Sequence, residues 1–147
     1  MNQDFAYGCI IIKDGRVLLE KQKHREERFW GFPKGHKEGD ETDEESAIRE
    51  VREEVGLNVE ITDHHPILME YDIRAEERNR GNVPVGETIH KTVKLFFAKP
   101  LNDSIALQEA EVETASYFSY DEVEEKLSFE DAKAAWREAK KRIASQF

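Results

Sequence analysis

Cysteine is almost missing from this chain: Cys9 is the only one in 147 residues. No internal disulfide can form, and a reduced, cytoplasmic setting is expected. No apolar run approaches the roughly 20 residues of a membrane span. The opening Met-Asn-Gln-Asp lacks the basic-then-apolar pattern of an export signal. Positive charge is also short. Against 32 Asp and Glu there are 22 Lys and Arg, a net charge of −10 and a pI near 5.0. That balance argues against an extended nucleic-acid surface or a face for anionic membrane. Internal repeats and low-complexity segments are absent, and nothing in the pattern assigns an oligomeric state. What remains is 38% hydrophobic and 37% charged, polar but not the composition of a disordered protein. The length suits one domain, residues 1–147, around one core.

Periodicity places the elements. Phe5 to Lys13 is an apolar, β-branched run that reads as a buried strand. Asp14-Gly15 turns it into a second strand, Arg16 to Lys21. After a charged loop, Phe29 to Pro33 returns as a short strand. A helix is expected over about 43–55, with Thr42 and Glu45 as a capping box and Gly56 as its stop. Ala47, Ile48, Val51 and Val55 give it an apolar stripe. Strands are expected over 58–62, 66–73 and 90–99. Two helices close the chain, with Ser119/Glu122 and Ser128/Asp131 as their N-terminal caps. Phe129, Ala132, Trp136, Ala139 and Ile143 recur at helical spacing and should pack on the sheet. Such interleaving without regular βαβ repetition predicts an α/β fold, a mixed sheet between helical layers. Residues 74–88 are charged, contain Gly81, Pro84 and Gly86, and show no period. They form either a lid over a substrate or a plain insertion.

The chemistry concentrates in residues 35–57, GHKEGDETDEESAIREVREEVGL. Glu50, Glu53 and Glu54 stand at i, i+3 and i+4 and so share a helical face. Like charges stacked in this way repel, and a cation between them would relieve the repulsion. Hard divalent cations take carboxylate oxygens and keep waters and substrate phosphates as further ligands. The cluster reads as a metal platform for phosphate chemistry. A solvated charged face would explain the acids but neither Gly35 nor Gly56, which sit where a loop approaches closely and where a helix ends in a left-handed cap.

The spacing of Gly35, Glu41, Arg49-Glu50, Glu53-Glu54 and Gly56 resembles the signature of the Nudix hydrolases at every fixed position. Gly39-Asp40 replaces the Pro-Gly turn that many relatives carry before the first glutamate. The resemblance implies an α/β/α Nudix sandwich and a site for Mg²⁺ or Mn²⁺ at Glu50, Glu53 and Glu54, with Gly35 beside them. Arg49 is expected to orient these acids, and Glu41 either supports the metal site or complements the helix dipole. The general base is expected at Glu111, with Glu50 as the second choice. Trp30-Gly31-Phe32-Pro33-Lys34-Gly35-His36 and Lys91-Thr92-Val93-Lys94 look like the asymmetric diadenosine tetraphosphate hydrolases.

This implies a nucleotide or dinucleoside polyphosphate substrate. Lys34, His36, Lys91 and Lys94 become candidates for the phosphates; Lys91 and Lys94 lie on opposite strand faces, so only one should face the site. Tyr71 and Tyr117 are candidates for an adenine platform, although the subgroup more often carries tryptophan where Tyr117 stands. Two alternatives stay open. The first is cleavage of a modified nucleoside triphosphate, another dinucleotide or an RNA 5′ end. The second is a non-catalytic nucleotide-binding module, which would be expected to lose the acids this chain keeps.

Overall fold

The computed structural model describes residues 2–24, 26–75 and 84–145, so most of the segment 74–88 lies outside the described residues. Seven strands form one mixed sheet. They are β1 (Asn2–Lys13), β2 (Arg16–His24), β3 (Glu27–Gly31), β4 (Lys34–Gly35), β5 (Val59–Arg74), β6 (Thr88–Pro100) and β7 (Val112–Ser119). The helices are α1 (Asp43–Val55), α2 (Tyr120–Lys126) and α3 (Glu130–Ser145). The main path runs β3-β2-β1-β6-β5, with β4 also on β1 and β7 also on β2. β1 and β6 are parallel, from Asn2↔Ile89 to Ile11↔Ala98, and the other pairings are antiparallel.

Period-two alternation divides two cores between the faces of this sheet. Ala6, Ile10, Val17, Leu19, Val93 and Leu95 pack with Val123, Ala132, Trp136 and Ala139 of α2 and α3. Cys9, Ile11, Leu18 and Phe96 pack with Ala47, Val51 and Val55 of α1 on the other face. The expected α/β/α sandwich is the observed one. Each large side chain fully buried here, Trp136 and Phe32 among them, stabilises the layers by roughly 1.5–3 kcal/mol.

The turns follow their residues. Asp14 and Gly15 both take positive φ, 51° and 72°, the pattern of a type I′ turn between strands. Helix α1 starts on the expected box, Thr42 Oγ1 accepting from Glu45 N–H and Glu45 Oε1 from Thr42 N–H. It ends at Gly56, whose φ is 74°.

Two expectations need correction. The two strands expected over 58–62 and 66–73 form one, β5, whose pairing with β6 shifts register between Ile61 and Asp63 and again before Ile67. Pro66 is tolerated because β5 lies at the sheet edge, where a missing N–H breaks no ladder. Ser128, expected as a helix cap, instead accepts a hydrogen bond at Oγ from the Trp30 N–H (2.8 Å), while its own N–H donates to the Trp30 carbonyl. The start of α3 is thereby tied to β3.

Candidate active site

Arg49 organises the acidic helix. Its Nε donates to Glu41 Oε2 at 2.7 Å, and Nη2 donates to Glu41 Oε1 and to the His36 carbonyl. Nη1 donates to Glu50 Oε1 (3.1 Å) and Glu53 Oε2 (3.0 Å). These contacts use the five-donor capacity of a guanidinium. Glu41 also accepts from the Ser46 hydroxyl and the Glu38 N–H, and Arg49 holds its carboxyl down at about 2. Arg49 thus binds the turn 36–41 to the helix and fixes the carboxylates it touches.

Gly35 lies against Glu50, and any Cβ built there would run into the Glu50 carboxyl. Gly35→Ala should therefore push Glu50 out of place. A loss of about 1–3 kcal/mol is expected from the overpacking, and a drop in turnover larger than that loss of stability explains. Melting curves and steady-state kinetics on one preparation separate the two.

Beside Glu54 stands an acid that the sequence did not single out. Leu18 and Glu20 alternate onto the face of β2 that meets α1, and Glu20 is completely buried. Gln22 Nε2 donates to its Oε2 at 3.0 Å, and no donor reaches Oε1. Its carboxyl meets that of Glu54, which is 6% exposed and accepts the Lys34 N–H at 3.0 Å. Burial pushes both carboxyls well above the ordinary glutamate range; Glu20 raises Glu54 further, contact with Glu54 and Gln22 holds Glu20 back, and the Lys34 ammonium opposes the shift in both. Burial, only partly offset by Arg49, raises Glu50 as well.

Raised carboxyls bind protons more tightly in the folded than in the unfolded chain. Their stabilisation is complete below the unfolded value near 4.3 and is lost as pH rises through the higher folded values. The melting temperature of the metal-free protein should accordingly fall from about pH 5 upward, through about 7 for Glu20 and on toward about 10 for Glu54, and saturating Mg²⁺ should reverse the fall. Thermal scans in both conditions check it.

A cavity of about 550 Å³ opens on the other side of Lys34, which lines it together with Gln22, Phe29, Trp30, Tyr71 and Phe129. Phe29 and Phe129 approach with ring centroids 4.7 Å apart. Lys34 and Gln22 therefore touch both this aromatic space and the Glu20–Glu54 pair.

The remaining expected residues separate. Tyr71 lines the cavity, whereas Tyr117 packs against the α1-side core with Lys13 Nζ 5.8 Å from its ring centre. Lys94 reaches Asp43 Oδ2 of α1 at 3.0 Å, while Lys91 Nζ lies 3.8 Å from Asp4 Oδ2. His36 Nε2 also meets Asp4, at 3.0 Å. Glu111 is exposed just before β7, with its charge felt by both Glu20 and Glu50. Among the described residues, no three His, Cys, Asp or Glu side chains form a ready-made cage for an ion. Mg²⁺ commonly takes only one or two carboxylates and completes its shell with waters and substrate phosphates.

Residues 3–140 match the family model described as the NUDIX domain. The chain belongs to the NUDIX family. Over 86 residues it is 35% identical to an RNA pyrophosphohydrolase of Xanthomonas campestris, covering 54% of this chain and 41% of that protein. The chain spans less than half the length of the curated relatives it matches first. Among solved structures, a C. elegans Ap4A hydrolase binary complex is similar with a TM-score of 0.69 at 21% identity, over 96% of this chain and 98% of that one. An E. coli dihydroneopterin triphosphate pyrophosphohydrolase is similar with a TM-score of 0.66, also at 21% identity, over 91% and 92%. At such identities the shared property is the NUDIX fold.

Proposed function

We propose that this NUDIX chain hydrolyses a phosphoanhydride bond in a nucleoside diphosphate linked to a second group, with Mg²⁺ or Mn²⁺, and that its substrate is diadenosine tetraphosphate, cut to ATP and AMP. The observation that carries the reading is the shared wall of Lys34 and Gln22, which joins an aromatic cavity to a cluster of buried carboxylates. A base fits the first by stacking and a charged phosphate chain fits the second.

The donor set suits a hard divalent ion. Glu54 is buried with the Lys34 ammonium acting on it, and Glu50 accepts from Arg49 through Oε1. Glu50, Glu53 and Glu54 would hold the ion, with Gly35 giving Glu50 its room. When bound, such an ion neutralises phosphate oxygens and acidifies water. The chain's own residues supply the rest. The cavity orients the base, Lys34 binds the phosphate chain, and Glu111 takes the proton from the attacking water, with Glu50 as the alternative base. Tyr71 and the Phe29–Phe129 pair are the aromatic surfaces for adenine, and Lys94 serves the phosphates from the α1 side.

A second reading is favoured by the 35% identity to an RNA pyrophosphohydrolase: removal of pyrophosphate from an RNA 5′ end or a nucleoside triphosphate. A net charge of −10 weighs against a long polyanion. A substrate panel with Mg²⁺, its products resolved by chromatography, distinguishes these. ATP and AMP in equal amounts from diadenosine tetraphosphate are expected. Two ADP as sole product, or faster turnover of triphosphorylated RNA, would remove the dinucleotide assignment.

A further inference from the structure

Glu20 lies outside the acidic helix and outside the proposed roles above, yet it is the most thoroughly buried carboxyl of the described residues, at 0% exposure. Its surroundings do not satisfy it as a structural acid would be satisfied. Gln22 donates to Oε2, but nothing donates to Oε1. The group it meets on β2's inner face is another buried carboxyl, Glu54. Two buried acids facing each other carry a large penalty for desolvation and repulsion. Residues of similar volume such as methionine or leucine would remove that penalty at no cost in packing. Its position on the strand alternates with Leu18, so the fold would accept an apolar side chain here without change of register.

An unpartnered, fully buried oxygen beside a helix carboxylate is the arrangement that a cation satisfies. We infer that Glu20 is a further carboxylate of the divalent-metal site, supplied by β2 from the sheet side, facing the acids that α1 supplies. The inference rests on the metal-dependent reading of the same site, but it assigns a role to a residue outside the helix motif. It also gives Gln22 a function. By holding Oε2, Gln22 fixes the carboxyl beside Glu54 and leaves Oε1 without a donor. Glu20 and Glu54 then receive the ion between sheet and helix, while Arg49 keeps Glu50 and Glu53 at its outer side.

The test reads metal binding directly and needs no substrate. Mn²⁺ is titrated into the metal-free protein, and free Mn²⁺ is followed by electron paramagnetic resonance, for the wild type, Glu20→Gln and Glu20→Met. Both variants should bind Mn²⁺ at least about tenfold more weakly, since losing even a group that only supports the ligands costs about 10–100-fold. Both should also melt at the same or a higher temperature than wild type without metal, because a buried repulsion has been removed. A purely structural Glu20 would give the opposite pair of results: unchanged Mn²⁺ affinity with a lower melting temperature. Unchanged affinity in whichever variant folds overturns the inference. So does weaker binding accompanied by a comparable loss of metal-free stability in both variants, since the effect would then be one of folding. A wild-type protein that binds no Mn²⁺ would overturn the metal reading itself and this assignment with it, whereas a failed substrate panel leaves the titration result standing.

Discussion

Glu54→Gln should lose activity by a factor on the order of a hundred to a thousand, the several kcal/mol a metal supplies to a phosphoryl transition state, while the protein stays folded. The expectation follows from the position of the side chain. Glu54 is buried, pressed against Glu20, and raised by that contact and by desolvation. An amide keeps the shape and can still accept the Lys34 N–H through its carbonyl oxygen. Its NH₂ group can donate to Glu20, which now lacks a donor at Oε1. Without metal the variant should therefore melt no lower than wild type, and the stabilisation by Mg²⁺ should shrink. Melting temperatures with and without Mg²⁺, set beside turnover numbers, separate these effects. Normal turnover in this variant would remove the metal platform from the α1 face.

Arg49→Ala should have the opposite profile, costing stability first. Five hydrogen bonds leave together, and the acids Glu41, Glu50 and Glu53 lose their shared counter-charge. Removing one partner of a buried ion network typically costs 3–5 kcal/mol. Glu53 is nearly half exposed, so solvent screens part of the loss and about 3 kcal/mol is the better expectation. Arg49→Lys recovers little, because an ammonium cannot grip Glu41 through two oxygens while reaching the His36 carbonyl. Urea denaturation at neutral pH measures the loss. Repeating it below pH 4 should narrow the gap between variant and wild type. The Glu41 carboxyl, held at about 2 by Arg49, contributes stability that is present above the ordinary glutamate value and disappears as pH falls through its own.

What could be read from the sequence was local. The capping box, the left-handed glycine and the i, i+3, i+4 acids lie within one helix, where spacing alone decides which side chains meet. Arg49 and Glu53 were expected to pair for that reason, and they do. The type I′ turn at Asp14-Gly15 was local as well. Glu20 was hidden because its meaning depends on sheet order. Within the run Val-Leu-Leu-Glu-Lys it reads as the polar end of a strand, and only the packing of α1 on that face turns it inward. Its alternation with Leu18 was the one available signal. The meeting of Phe29 with Phe129 carries no local signal, since β3 and the start of α3 are far apart in the chain and come together only in the fold, where the Trp30–Ser128 hydrogen bonds tie them. The uninterrupted β5 was missed for a related reason: Asp63-His64-His65-Pro66 has the composition of a turn, and pairing with β6 overrides it.

The two hydrogen bonds between Trp30 and Ser128 have an evolutionary consequence. They make the last third of the chain a wall of the cavity, while every acid of α1 belongs to the first half. Drift near Phe129 can change which molecule is accepted without disturbing the groups that perform the reaction. Two relatives can therefore share the acidic motif residue for residue and still differ in diet, and a comparison confined to the motif is blind to the difference.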